Sequence, residues 1–126
     1  MDLTKQIIPI FLGGGLGALI RFSISILTIN NIKSHLPFAT LVANLLAILI
    51  MGFTLHYTAS KIENLPWIKA FVLIGFCGGL STFSTFSYET ITLLKEYHWS
   101  YALANVLISV IVGGLIIYPF IKPLAK

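Results

Sequence analysis

A chain of 126 residues that is 57% hydrophobic and only 10% charged, with a mean hydropathy of +0.95, departs far from the roughly 25% charge content of a soluble domain. These values exclude a soluble fold and describe a membrane protein. The net charge of +4 comes without a basic run interleaved with aromatics, so no nucleic-acid partner is expected, and no ATP-binding signature points to a primary pump acting alone.

A hydrocarbon core of about 30 Å requires about 20 mainly apolar residues per spanning helix. Four stretches qualify, near residues 6–29, 37–59, 66–94 and 99–121, which makes residues 1–126 a single four-helix transmembrane domain. The first stretch follows Lys5 as a signal peptide would, but its apolar run is too long, contains Arg21 and shows no small-x-small cleavage site, so it is expected to be retained. Within it, "GGGLGALIRF" sets Gly13, Gly17 and Arg21 four apart, a stripe of small residues ending in a cation. Small residues let helix backbones approach in lipid. An intramembrane arginine costs about 2.5–3.5 kcal/mol at a helix centre and less near an end. Arg21 is therefore either a structural anchor or an electropositive vestibule for anions.

"NNIKSH" is a polar connection, and Pro37 suits the first turn of the second helix. There, "TLVANLLA" places Thr40 and Asn44 on one face. The Asn44 amide offers two donors and one acceptor, for an interhelical hydrogen bond or for a pathway. "SKIENL" and Pro66 lead into the third stretch, whose single cysteine, Cys77, excludes an internal disulfide and reads as packing.

The segment Gly78–Glu89, "GGLSTFSTFSYE", interrupts the apolar run with two glycines, five serine and threonine hydroxyls and a carboxylate. Gly78 and Gly79 weaken helix propagation and are expected to break the third helix at its middle. Such a break is tolerated only where the freed backbone is buried in protein or lines a cavity. With helix resuming near Ser81, Phe83 and Phe86 fall within about 60° of each other, and Ser81, Ser84, Thr85 and Glu89 occupy the opposing stripe. Hydroxyl protons, an amide, a nearby arginine and electropositive ring edges suit an anion. A cation pathway would show carboxylate rings or a dense carbonyl cage, and Glu89 stands alone. Freed carbonyls can still hold one cation structurally.

After "KEYHWS", the fourth stretch repeats the four-residue spacing in Asn105, Ser109 and Gly113, for packing or for pathway. Short connections make neighbouring helices antiparallel and put both termini on one side. Trp67, Tyr97, Trp99 and Tyr57 fall near helix ends, as interfacial aromatics do. Lys5, Lys61, Lys69, Lys122 and Lys126 lie on the terminal side against Lys33 and Lys95 on the other, with Arg21 toward that second side. So weak a bias fits one orientation or insertion in both.

These three motifs, in this order over essentially the whole chain, resemble the small fluoride-exporting channels of the Fluc (CrcB) type. "GGGLGALIRF" is similar to that family's first-helix glycine and arginine motif, "TLVANLLA" to its second-helix motif and "GFCGGLSTFSTFSYE" to its most distinctive signature. The resemblance implies an all-α integral membrane protein with four transmembrane helices per subunit, the third broken at its middle. It implies an antiparallel dual-topology homodimer with two pores in the bacterial inner membrane. It implies passive fluoride efflux, with no organic cofactor and a structural sodium ion at the dimer axis.

Carried over residue by residue, Asn44 gives a pore-lining amide, with Thr40 one turn before it. Phe83 and Phe86 turn ring edges to fluoride, Ser84 and Thr85 belong to a polar track, and Ser109 lies near the pore. Gly78 and Ser81 supply backbone carbonyls to sodium, although the family more often has threonine where Ser81 stands. Arg21 and Glu89 match the family's arginine and glutamate. Two other classes compete. A small multidrug-type, proton-coupled exporter of cationic compounds needs a titrating carboxylate, for which Glu89 is the one candidate. An assembly subunit of a larger membrane complex leaves the hydroxyl and phenylalanine pattern unexplained.

Overall fold

A computed structural model describes residues 4–58 and 65–121 of the chain. The connection at 59–64 and the flanking Lys61, Lys122 and Lys126 lie outside the described residues. Helix α1 covers Thr4–Asn31 (28 residues) and α2 covers Phe38–Thr58 (21 residues). Helix α3 occupies 66–80, α4 is Phe83–Lys95 and α5 is Trp99–Ile121. By length and apolarity, α1, α2, Pro66–Lys95 and α5 can each cross a membrane. Among the described residues there is no strand.

Local chemistry sets the helix ends. Helix α3 starts at Pro66, where a missing N–H costs no hydrogen bond. Its pitch widens to the π form over Lys69–Phe76, and α5 does the same over Ile108–Val112, so faces beyond these points are rotated from a 3.6-residue projection. Helical geometry in α3 stops at Leu80. Ser81 (φ −79°, ψ 156°) and Thr82 (φ −151°, ψ 115°) are extended, and helix resumes at Phe83. The glycine pair expected to break the helix thus lies within it, and the two residues outside helical geometry are hydroxyl-bearing. The cause is capping: Thr82 Oγ1 accepts the Thr85 N–H at 3.2 Å, satisfying a donor at the start of α4. Helix α4 closes with His98 N–H donating to Leu93 O at 2.8 Å, across a left-handed Tyr97 (φ 62°) in a position usually held by glycine.

Gly79 and its neighbours serve packing instead. Gly13 and Gly17 of α1 face Gly75 and Gly79 of α3. A Cβ on Gly13 would meet the Phe71 carbonyl and Phe76 N, one on Gly17 the Phe76 carbonyl and Leu80 N at 2.8 Å, and one on Gly75 the Ile10 carbonyl at 2.7 Å. A Cβ on Gly79 would strike the Gly14 carbonyl, whereas one on Gly78 meets nothing within 4 Å. The two helices therefore touch backbone to backbone, running parallel, as small residues permit in lipid.

A second parallel pair forms where Gly52 of α2 takes the Phe120 ring and Gly113 of α5 takes Ile48, which resolves Gly113 as packing. Ala43, Ala47, Cys77 and Leu80 make the buried centre, with Ile24, Met51 and Phe76 against it. Phe11, Leu19 and Phe22 of α1 and Leu115 of α5 are exposed, as side chains facing lipid are.

Candidate functional site

Helix α2 runs antiparallel to α4, which brings Asn44 opposite Thr82 and Thr40 opposite Glu89. Thr82 N–H donates to Asn44 Oδ1 at 2.8 Å, and Asn44 Nδ2 reaches back toward Thr82 O at 3.5 Å. One side-chain amide thus braces the non-helical residues from both sides. The Thr82 hydroxyl gathers the neighbouring ones, donating to Thr85 Oγ1 at 3.0 Å and lying 3.2 Å from Ser84 Oγ. Thr82 was not singled out from sequence. The signal available was a threonine just before a helical stripe, the ordinary composition of an N-cap.

This bonding diverts two donors from the helical ladder. An uninterrupted α-helix would send Thr82 N–H to Gly78 O and Thr85 N–H to Ser81 O; here they go to Asn44 Oδ1 and Thr82 Oγ1. Gly79 O is drawn off differently, accepting Arg21 Nε at 3.1 Å. Arg21 thus ties α1 to the end of α3.

A cleft of about 290 Å³ opens beside the brace, lined by Asn44, Ser81, Thr82, Phe83, Phe86 and Ser109 with Ile48 and Val110. The Phe83 and Phe86 rings sit on one side with centroids 6.0 Å apart. Phe83 is 80% exposed on the chain alone, so its ring is available to whatever adjoins the cleft. Ser81 shares this cleft with the phenylalanines instead of joining an opposing stripe, because helix restarts two residues later than expected. Ser109 Oγ is buried without a hydrogen-bond partner. An amide, several hydroxyls, two phenyl rings and the unpartnered Ser109 hydroxyl therefore line one cleft.

Thr40 and Glu89 stand apart from this cleft. Thr40, buried, donates from Oγ1 to Glu89 Oε1 at 2.8 Å, while Glu89 Oε2 is buried without a partner. Glu89 lines a second cleft of about 270 Å³ with Ser34, His35, Tyr88 and Glu96. Ser84 is exposed and Thr85 half-buried beside Thr82. Asn105 is fully buried and donates to Thr90 Oγ1 at 3.0 Å. Among the described residues no group of three His, Cys, Asp or Glu could hold a metal.

Comparison with known proteins places the chain in a family. The sequence model of the CrcB-like protein family, Camphor Resistance (CrcB), matches residues 8–119. A protein of Serratia proteamaculans named fluoride-specific ion channel FluC is 37% identical over 90% of this chain and 88% of its own length. Proteins of the same name from Shewanella frigidimarina and Pyrococcus horikoshii are 41% and 40% identical, over 90% and 91% of this chain and 90% and 92% of their own lengths. With four apolar spans, a braced polar turn between α3 and α4, and likeness along nearly its whole length, this chain belongs to the CrcB-like family of multi-pass membrane proteins.

Proposed function

We propose that this chain forms a fluoride-selective channel of the bacterial inner membrane, through which cytoplasmic fluoride leaks passively outward. Such a leak protects a cell in which hydrogen fluoride enters from acid surroundings and dissociates. The observation that carries the reading is the cleft that unites Asn44, Phe83, Phe86 and Ser109, in a chain whose relatives are named fluoride-specific ion channels. Fluoride is small and strongly hydrated, so a selective wall must replace water with directed donors. Amide and hydroxyl protons and the positive edges of phenyl rings are such donors. No covalent chemistry is involved, and the chain acts as a pore and not as an enzyme.

In this reading Pro66–Lys95 is one span broken at Ser81–Thr82, and two copies pair antiparallel about a two-fold axis in the membrane plane to give two pores. The exposure of Phe83 beside an open cleft supports a partner that completes the wall. A structural sodium ion also fits the residues present. The Gly78 and Ser81 carbonyls have lost their helical donors to Asn44 and Thr82, and a hard cation prefers oxygen ligands. Bound there, sodium would supply positive charge that neutralises carbonyl dipoles where the helix ends. Ser84 and Thr85 continue the hydroxyl lining, and Thr40 with Glu89 lies beyond it.

A fluoride electrode trace from liposomes containing only this protein tests the reading. Rapid fluoride release with little chloride release is the expected result. Proton-linked exchange of a cationic drug would replace it with the exporter reading, and silence to both would replace it with an assembly subunit. Dual topology has its own test. A cysteine placed at Lys126 in a Cys77→Ser background should be labelled in about half the molecules from each side, and labelling from one side alone would remove antiparallel pairing.

A further inference from the structure

The backbone of Phe86 is tied to α5 through Thr90. Its carbonyl accepts the Thr90 hydroxyl proton at 2.7 Å. Because that proton is committed, Thr90 Oγ1 can only accept from its other neighbour, and Asn105 Nδ2 donates to it at 3.0 Å. Asn105 is 0% exposed and its Oδ1 has no hydrogen-bond partner. A fully buried amide, half unsatisfied, is costly in apolar surroundings, so its one directed bond is not an incidental packing contact. The bond ties α5 to α4 one turn beyond Phe86, and Ser109, another wall residue, stands one turn beyond Asn105 on α5.

Among the described residues, the other side-chain hydrogen bonds from α4 and its cap to a neighbouring helix run to α2, through Asn44 to Thr82 and Thr40 to Glu89. Those ties hold its start and its far turn against α2, and the Thr90 bond holds it toward α5. Resting on the channel reading above, we infer that Asn105 and Thr90 are positioning residues for selectivity: their bond sets how far the Phe86 wall stands from Ser109. Neither touches the ion. Loss of the bond lets α4 roll, widens the wall and admits a larger halide before it affects assembly.

The test measures fluoride and chloride efflux from liposomes for the parent, Thr90→Ser, Thr90→Ala, Thr90→Val, Asn105→Leu and the double variant Thr90→Val with Asn105→Leu. One net hydrogen bond is worth about fivefold in an equilibrium. The fluoride-to-chloride flux ratio is expected to fall by about that factor in Thr90→Ala, Thr90→Val and Asn105→Leu, and to stay at the parent value in Thr90→Ser, which keeps the hydroxyl. The double variant should match the single ones, since all break the same bond. Serine and alanine remove the same methyl, so their comparison decides the question even if the larger changes fail to assemble. A parent ratio in Thr90→Ala, an equal fall in Thr90→Ser, or effects that multiply in the double variant would overturn the assignment alone. A parent that releases no fluoride would overturn the channel reading and this one together.

Discussion

The two halves of this molecule are joined by different chemistry. Between α1 and α3 the contact is backbone against backbone, made by Gly13, Gly17, Gly75 and Gly79, with Arg21 as its one long polar tie. Between α2 and α4 it is side chain against backbone and side chain, made by Asn44 to Thr82 and Thr40 to Glu89. Close apposition excludes every ligand from the first joint. The second holds its helices apart on directed bonds and leaves a cleft between them. In lipid, where apolar burial does not drive helices together, a seam of glycines is how a wall is built and a ladder of amides and hydroxyls is how an opening is built.

The contrast is sharpest where it is broken outright. Gly17→Val adds atoms that meet the Phe76 carbonyl and Leu80 N, backbone groups that cannot rotate away, at a cost of about 3 kcal/mol. We expect no monodisperse protein on size-exclusion chromatography; a normal elution profile would mean the seam yields. On the other joint the fold survives and conduction does not. Asn44→Asp keeps an acceptor for Thr82 N–H but puts negative charge on the cleft. It should assemble and carry no measurable fluoride, and parent-rate efflux would show that Asn44 only packs. Asn44→Leu instead leaves Thr82 N–H unpaired, which costs about 1–3 kcal/mol and lowers the thermal midpoint.

Smaller effects test the wall of the cleft. Phe83→Ile and Phe86→Ile keep most of the hydrophobic volume, so both should assemble. Losing the ring edge should slow fluoride efflux roughly two- to twelvefold, the worth of an aromatic contact of about 0.5–1.5 kcal/mol. Methionine should be milder, its thioether being polarisable. Isoleucine variants that conduct at the parent rate would remove ring edges from the mechanism. The smallest effect is reserved for Gly78→Ala. With nothing within 4 Å of an added Cβ, chromatography and melting should match the parent, whereas Gly79→Ala, aimed at the Gly14 carbonyl, should not.

How much of this was legible beforehand follows from the range of each interaction. Four spans follow from apolar length, a local property, and α1's glycine stripe from spacing alone. The helix interruption was read onto Gly78 and Gly79 because glycine lowers helix propensity. A cap at Thr82 and its amide brace outweighed that preference. The brace links residues 38 apart and the Thr40 to Glu89 bond residues 49 apart, separations that depend on how two helices slide past each other and not on any local pattern. The same holds for Thr90, whose bond to Phe86 O is an ordinary one-turn contact until Asn105 is seen to meet it.

Helix length carries a consequence of another kind. At about 1.5 Å per residue, the 28 residues of α1 extend about 42 Å and the 21 of α2 about 32 Å. A hydrocarbon core of about 30 Å matches the shorter helix and falls well short of the longer. The excess of α1 is met by leaning or by projecting its last turn, where Thr28 and Asn31 already bond to their own helix at Ile24 O and Leu27 O and so tolerate either lipid or head groups. Because α1 is seated on α3 through its glycines, any lean of α1 is shared by α3. The shorter helix that holds Asn44 matches the core without such a lean.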